Sequence, residues 1–177
     1  MLSKSENIYL FYVFEGSSKL PAPKPFPEGL KMEIFAPSWK SIRVNNYTSI
    51  WLYWFWFFFS RRKYLIYYLV DGGRIVHLSH VISQNPKFAF MGPDDFEIGP
   101  CWTHPDYRGQ GLYSSVLGRI AGDLMSTVDR LFIFAEKKNE ASLKGITKSG
   151  FKFFGSGKKT GFGGIYRITN LGSDDSN

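Results

Sequence analysis

A single cysteine, Cys101, among 177 residues leaves no partner for an intramolecular disulfide and no basis for a multi-cysteine metal site. That scarcity fits a reducing cytoplasm. Histidine is almost as rare, with three in the chain. Cys101-x-x-His104 resembles half of a zinc site, but no second pair completes it, so no metal is expected. His77 and His80 stand three apart in a strand-like run and must point to opposite faces, so at most one can look into a pocket. A long hydrophobic run is missing too. "IWLYWFWFFF" at 50–59 has ten apolar residues, against roughly 20 for a spanning helix. Arg61, Arg62 and Lys63 follow it, and "YLIYYLV" after them reads as a strand, which excludes a transmembrane helix. The opening "MLSKSENIYLFYVFEG" has no long apolar core before a small-residue cleavage site, so no signal peptide is expected.

What is present is ordinary in bulk and unusual in detail. Hydrophobic content of 44% and charged content of 21% are globular values, whereas 18% aromatic is high. The length suits one domain with a core of its own. A net charge of +7 and a pI near 9.4 suit a polyanionic partner: nucleic acid, an anionic membrane or a phosphorylated small molecule. A basic surface that only keeps the protein soluble accounts for the charge equally well. The basic residues are spread rather than striped and no base-stacking module is visible, so nucleic acid ranks last.

Strand-like runs occur at 8–14, at 30–37 and at 64–82, the last broken by Asp71-Gly72-Gly73 in the manner of a hairpin. Asn46 or Thr48 can cap a helix running to about Lys63. A proline-containing loop at 83–94 leads into the strand "FEIGPCWT" (96–103). Pro100 has no N–H, so it belongs at a bulge or an unpaired edge. Leu112, Val116, Leu117, Ile120 and Leu124 have amphipathic-helix spacing, predicting a helix over 111–128. A strand at 130–136, a helix at 139–150 with a glycine stop, and two closing strands at 151–155 and 163–169 complete the chain. No repeat or linker divides it, so 1–170 read as one α+β domain and 171–177 as a flexible tail.

The chemistry concentrates in "EIGPCWTHPDYRGQGLYSS", 97–115. A strand ends near Thr103, and a helix begins within Arg108-Gly109-Gln110-Gly111. Two glycines let the backbone turn with its N–H groups uncovered, at a helix end where the dipole favours an anion. No Lys-Ser/Thr follows the second glycine, so this is no triphosphate P-loop. Gly109-x-Gly111-x-x-Ser114 also lacks the third glycine of a dinucleotide fingerprint. A glycine turn before an ordinary helix remains an alternative for this segment alone.

Taken with "NEASLKGITKSGFKFFG" (139–155), the pattern is more specific. Strand, "YRGQGLY", amphipathic helix, strand, "NEAS", helix and "KSGF" over 96–155 resemble the paired motifs of the GNAT superfamily of acetyl-CoA-dependent N-acetyltransferases. The resemblance implies an α+β fold. Its central, mostly antiparallel mixed sheet is splayed between the family's fourth and fifth core strands, here 96–103 and 130–136, and flanked by helices. By the same resemblance, the backbone amides of Arg108, Gly109, Gln110, Gly111, Leu112 and Tyr113 would hold the pyrophosphate of coenzyme A. Arg108 and Gly111 match the family pattern, while Tyr113 replaces its last small residue. The backbone of Cys101, Trp102 and Thr103 would face the pantetheine arm, with Asn139 and Ser142 as helix contacts. The Cys101 thiol would be a bystander, because the implied chemistry is direct transfer.

Direct transfer needs a base for the amine, and Glu97 matches a strand position from which family members supply one. A solvent-facing charge at a strand end is the alternative for Glu97. The tyrosine that often protonates the leaving thiolate is replaced by Ile146, leaving Tyr107, Tyr113 or water to substitute. The implied activity is N-acetyl transfer from acetyl-CoA, as cosubstrate, to a primary amine of a small molecule. An amino sugar or a cell-envelope intermediate suits the aromatic N-terminal half. A non-catalytic acyl-CoA-binding module is the competing expectation. The outer face of the 50–63 stretch would cover an acceptor pocket first, a homodimer contact second and a membrane third.

Overall fold

The structure, a computed structural model, describes residues 7–16, 18, 20, 25–36, 58, 63–83, 85–160 and 164–172. The helix expected from Asn46 or Thr48 to Lys63, with the aromatic run it carries, lies outside these residues apart from Phe58 and Lys63. The described strands and α-helices are β1 (Ile8–Glu15), β2 (Lys31–Phe35), β3 (Tyr64–Asp71), β4 (Arg74–Ser83), β5 (Phe96–Thr103), α1 (Leu112–Leu124), β6 (Arg130–Glu136), α2 (Glu140–Lys148), β7 (Lys152–Lys159) and β8 (Tyr166–Leu171).

The strands form one sheet in the order β2-β3-β4-β5-β6-β1-β7-β8. Every pair is antiparallel except β5–β6, which is parallel. The sheet is therefore mixed and mostly antiparallel, with the two helices against it, as the α+β reading requires. β1 lies between β6 and β7, pairing with one through Tyr9↔Glu136 to Glu15↔Arg130 and with the other through Ile8↔Lys158 to Val13↔Lys152. A central strand is covered on both faces, which is why "IYLFYVF" is apolar without alternation.

Alternation does sort the residues of β1 and β6 between faces. Tyr12, Phe14, Leu131, Ile133 and Ala135 meet Leu112, Val116, Leu117, Ile120 and Ala121 of α1 and Ile146 of α2 in the larger core. Phe11 and Phe134 turn the other way, into an aromatic cluster with Tyr9, Phe88, Phe90, Phe154 and Tyr166. There, Phe88 stacks on Tyr166 at 5.0 Å and Phe134 lies 4.8 Å from it.

The boundaries of three elements differ from expectation. The helix predicted over 111–128 stops at Leu124, because the Thr127 hydroxyl and the Thr127 and Val128 N–H groups all donate to the Leu124 carbonyl. The closing strands are also longer or shifted, at Lys152–Lys159 and Tyr166–Leu171. Backbone pairing rather than local composition sets their ends. Among the described residues no helix is long and apolar enough to cross a membrane.

Candidate active site

The site begins where two parallel strands are bolted together and then part. At the base, Arg130 donates from Nε to Asp95 Oδ1 at 3.0 Å and from a terminal nitrogen to Asp95 Oδ2 at 2.6 Å. Gly92 N–H adds a third hydrogen bond to the buried Asp95 carboxylate, at 2.6 Å. Beyond this clamp β5 and β6 pair only at Phe96↔Leu131 and Glu97↔Phe132. β5 then bulges against β4: Gly99 and Pro100, joined by a cis peptide, stand opposite His80 alone. The sequence expectation of a bulge at Pro100 holds. β6 stays paired with β1 along its other edge, so the strands diverge and leave a cleft of about 1080 Å³ between them.

On the helix side the cleft is walled by the turn before α1. Gly109 and Gly111 both have φ 77, a left-handed conformation that a Cβ disfavours. The first hydrogen bond of α1 runs from Ser115 N–H to the Gly111 carbonyl at 3.1 Å, and Gly111 provides no side-chain cap. The N–H groups of Leu112, Tyr113 and Ser114 therefore have no acceptor within the helix. Arg108 Nε donates to the Thr103 carbonyl at 3.1 Å, holding the guanidinium beside them. Lys144 and Lys148 of α2 line the same opening. Together these groups form a positively biased nest suited to phosphate. Asn139 caps α2, its Oδ1 accepting from Ser142 N–H at 3.1 Å, and both residues line the cleft.

The cleft passes through the sheet to the other face, where Glu97 lies. Its carboxylate is buried and lines the cleft, rather than facing solvent at a strand end. Asn85 Nδ2 donates to Glu97 Oε2. A Cβ on Gly99 would stand 3.4 Å from Oε1, which places that oxygen over the point of divergence. Burial pushes the Glu97 carboxyl up from 4.5 to about 7, against the opposing pull of the Asn85 amide and the Lys87 ammonium. A carboxyl in that range can give or take a proton at neutral pH. Asn85 is itself oriented, its Oδ1 accepting from Lys87 N–H at 3.0 Å. Its turn is fixed to β8 by Tyr166 N–H donating to the Lys87 carbonyl at 2.9 Å.

Beneath the cleft, side chains of β4 and β5 form a polar chain. His77 bonds Thr103 Oγ1 at 2.8 Å and Ser79 Oγ at 2.9 Å, and Ser79 Oγ donates to Cys101 Sγ at 3.2 Å. Burial pushes the Cys101 thiol up to about 12, so it stays protonated at neutral pH and is a poor nucleophile. Burial lowers His77 and His80 to about 4, leaving both neutral. They point to opposite faces of β4: His77 lies 6.1 Å from the Tyr113 ring on the helix side, while His80 contacts the Tyr64 hydroxyl. His104 is held between the Arg74 guanidinium and Asp106. No three His, Cys, Asp or Glu side chains cluster among the described residues.

Of the residues singled out from sequence, Glu97, Cys101, Trp102, Thr103, Arg108, Gly109, Gly111, Leu112, Tyr113, Asn139 and Ser142 all line this one cleft. Gln110 does not; its side chain turns back to the Asp106 carbonyl at 3.2 Å. Asn85, Lys87, Phe88, Phe134 and Tyr166 also line it and were not anticipated. The F-x-F of β6 carried a trace of the last group, since period two sends Phe132 and Phe134 to the face opposite Ile133.

No protein-family model matches the chain, and no curated protein matches it. Solved structures do match in three dimensions. A GCN5-related N-acetyltransferase from Sphaerobacter thermophilus superposes with a TM-score of 0.61 at 16% identity, over 85% of this chain and 50% of its own. A GCN5-related N-acetyltransferase-like protein from Streptococcus suis gives 0.54 at 15% identity, over 86% and 61%. A GNAT-family acetyltransferase from Colwellia psychrerythraea gives 0.55 at 14% identity, over 84% and 53%. The chain thus spans between a half and about three fifths of these structures. At such identities the likeness is one of fold: the chain has the fold of GCN5-related N-acetyltransferases.

Proposed function

We propose that the chain transfers an acetyl group from acetyl-CoA to a primary amine of a small molecule. The observation that carries this reading is the through-sheet cleft, with a phosphate-suited nest at one end and buried Glu97 at the other. The N–H groups at the start of α1, which have no acceptor within the helix, fit the phosphates of coenzyme A together with Arg108, Lys144 and Lys148. The free edge of β5 along Cys101, Trp102 and Thr103 faces the cleft and suits the amide-bearing pantetheine arm, with Asn139 and Ser142 on the opposite wall. Bound acetyl-CoA supplies an acyl thioester with a fair leaving group, a thiol of pKa about 8.5 when free.

The chain's own groups do the rest. Asn85 holds one oxygen of Glu97, and the other, over Gly99, accepts the proton that the attacking amine must lose, directly or through water. The acceptor enters from the face of Glu97, between the Asn85–Phe88 turn, Phe134 and Tyr166. Aromatic surface beside a carboxylate suits an amine on an apolar body or on a sugar ring, an amino sugar being the acceptor class favoured here. Metal and nucleic acid have no part in this reading.

The test is an acetyl-CoA turnover assay over a panel of amines that includes amino sugars. The reading expects transfer to at least one amine, lowered about 10²- to 10⁴-fold by Glu97→Gln. Ile146, fully buried in the core, supplies no hydroxyl at the position where the family often has tyrosine, and this favours the second reading of a non-catalytic acyl-CoA-binding module. Coenzyme A binding with no transfer to any amine would decide for that alternative.

A further inference from the structure

Tyr113 presents a hydroxyl that has no hydrogen-bond partner among the described residues. Its ring crosses from α1 to α2 at Gly145, where a Cβ would stand 2.5 Å from Tyr113 Cδ1. A helical glycine costs about 1 kcal/mol relative to alanine, and here its missing Cβ makes the seat for the ring. The side chain lines the cleft, and Cys101 of β5 is close enough to act on its ionisation. Among the described residues no group hydrogen-bonds the hydroxyl, which burial holds firmly protonated. Tyr107, the other tyrosine near the turn, is engaged: its hydroxyl donates to Asp71 Oδ2 at 2.6 Å. Tyr113 is half-buried and lines the cleft, so its hydroxyl is available to an occupant.

The occupant atom follows from position. Cys101 is the first residue after the Gly99–Pro100 bulge and faces the helices, whereas Glu97 lies on the other face. The reacting carbon must sit between these walls, with its leaving group on the helix side. We infer that the Tyr113 hydroxyl donates a hydrogen bond to the departing sulfur of the thioester, the task that buried Ile146 cannot perform. This rests on the acyl-transfer reading above. As the amine nitrogen bonds to the acyl carbon, the C–S bond breaks with its electron pair on sulfur. The amine proton passes to Glu97. The sulfur, held by the Tyr113 O–H, takes a proton from water on release, and Glu97 returns its own to solvent. A donor preorganised toward developing charge in a site shielded from water is an effective means of stabilisation.

The test titrates coenzyme A bound to the wild type and to Tyr113→Phe, following thiolate absorbance as the difference between complexes with coenzyme A and with desulfo-coenzyme A. Phenylalanine keeps the ring on Gly145 and removes one oxygen. Among the described residues the titratable groups near that ring are His77 of β4 and Cys101 of β5, and Lys144 and Lys148 of α2 line the same cleft. His77 and Cys101, at about 4 and about 12, do not titrate near the thiol, and the lysines are common to all complexes. The expected result is a bound thiol pKa about one to two pH units higher in the variant, the worth of one hydrogen bond to a charged group. Affinity for desulfo-coenzyme A should stay the same. An unchanged thiol pKa overturns the proposal, as does weaker binding of desulfo-coenzyme A alone, which would place the hydroxyl on another part of the molecule. Should the variant not fold, the wild type still decides: equal responses of its coenzyme A and desulfo-coenzyme A affinities to pH overturn the proposal. Failure of the wild type to bind either compound overturns the acyl-transfer reading itself, and this inference with it.

Discussion

Replacing Glu97 by glutamine should stabilise the protein while removing its proposed base, and the stabilisation should depend on pH in a way only a buried carboxyl explains. The folded state moves the carboxyl from 4.5 to about 7 by burial. That gap is worth about 3 kcal/mol of preference for the neutral form. Below pH 4.5 the group is neutral in the folded and unfolded states alike and costs nothing. Between 4.5 and about 7 the unfolded chain ionises first, so stability falls as pH rises. Above about 7 the whole penalty is present. Glutamine keeps the volume and an acceptor for the Asn85 amide, and it has no charge to desolvate. Its advantage should therefore be near zero at about pH 4 and reach about 3 kcal/mol at about pH 8. For a chain of this size that corresponds to about 6–12 °C in Tm. Thermal unfolding of both proteins across this range, by circular dichroism or calorimetry, reads it directly. His77 and His80 titrate in the same window, but their contributions are common to both proteins and cancel in the difference. A Tm difference that stays constant with pH, or is absent at alkaline pH, refutes the reasoning.

Arg130→Met removes the guanidinium that pairs with buried Asp95 and should cost about 3–5 kcal/mol in urea unfolding, well above a surface ion pair. Gly145→Ala improves helix propensity by about 1 kcal/mol, yet it should be net destabilising by chemical denaturation, because its Cβ meets the Tyr113 ring at 2.5 Å. His77 and His80 are held neutral by burial, lowered from 6.5 to about 4. Their contribution to stability is complete above 6.5 and is lost as pH falls toward about 4, so Glu97→Gln, freed of the opposing carboxyl, should show this acid loss more steeply than the wild type.

What the sequence made legible was local. Pro100 announces the β5 bulge because it has no N–H to pair. Asn139 announces the start of α2 because its side chain can replace a missing acceptor, and Gly109 and Gly111 mark the turn because their left-handed backbone excludes most other residues. What stayed hidden depends on contacts between distant segments. The continuous apolar run of β1 says that both faces are covered, but not that the neighbours are β6 and β7. Asp95 and Arg130 carry no mark of each other across 35 residues. Asn85 and Lys87 reach Glu97 because a backbone hydrogen bond docks their turn on Tyr166, and backbone pairing leaves no side-chain signature. The aromatic wall is a related case. The aromatic cluster on the Glu97 face is assembled from β1, the 85–91 turn, β6, β7 and β8, while the 50–63 run lies outside the described residues apart from Phe58 and Lys63.

The central claim is that the parted strands form a coenzyme A site entered over the Arg108–Tyr113 turn, and calorimetric titration tests it most directly. Acetyl-CoA should bind the wild type at one site, and Arg108→Glu and Gly111→Val should each weaken that binding about tenfold or more, the first by reversing a charge at the phosphate nest and the second by straining its backbone. No binding heat from the wild type, or binding that both substitutions leave unchanged, would contradict the account.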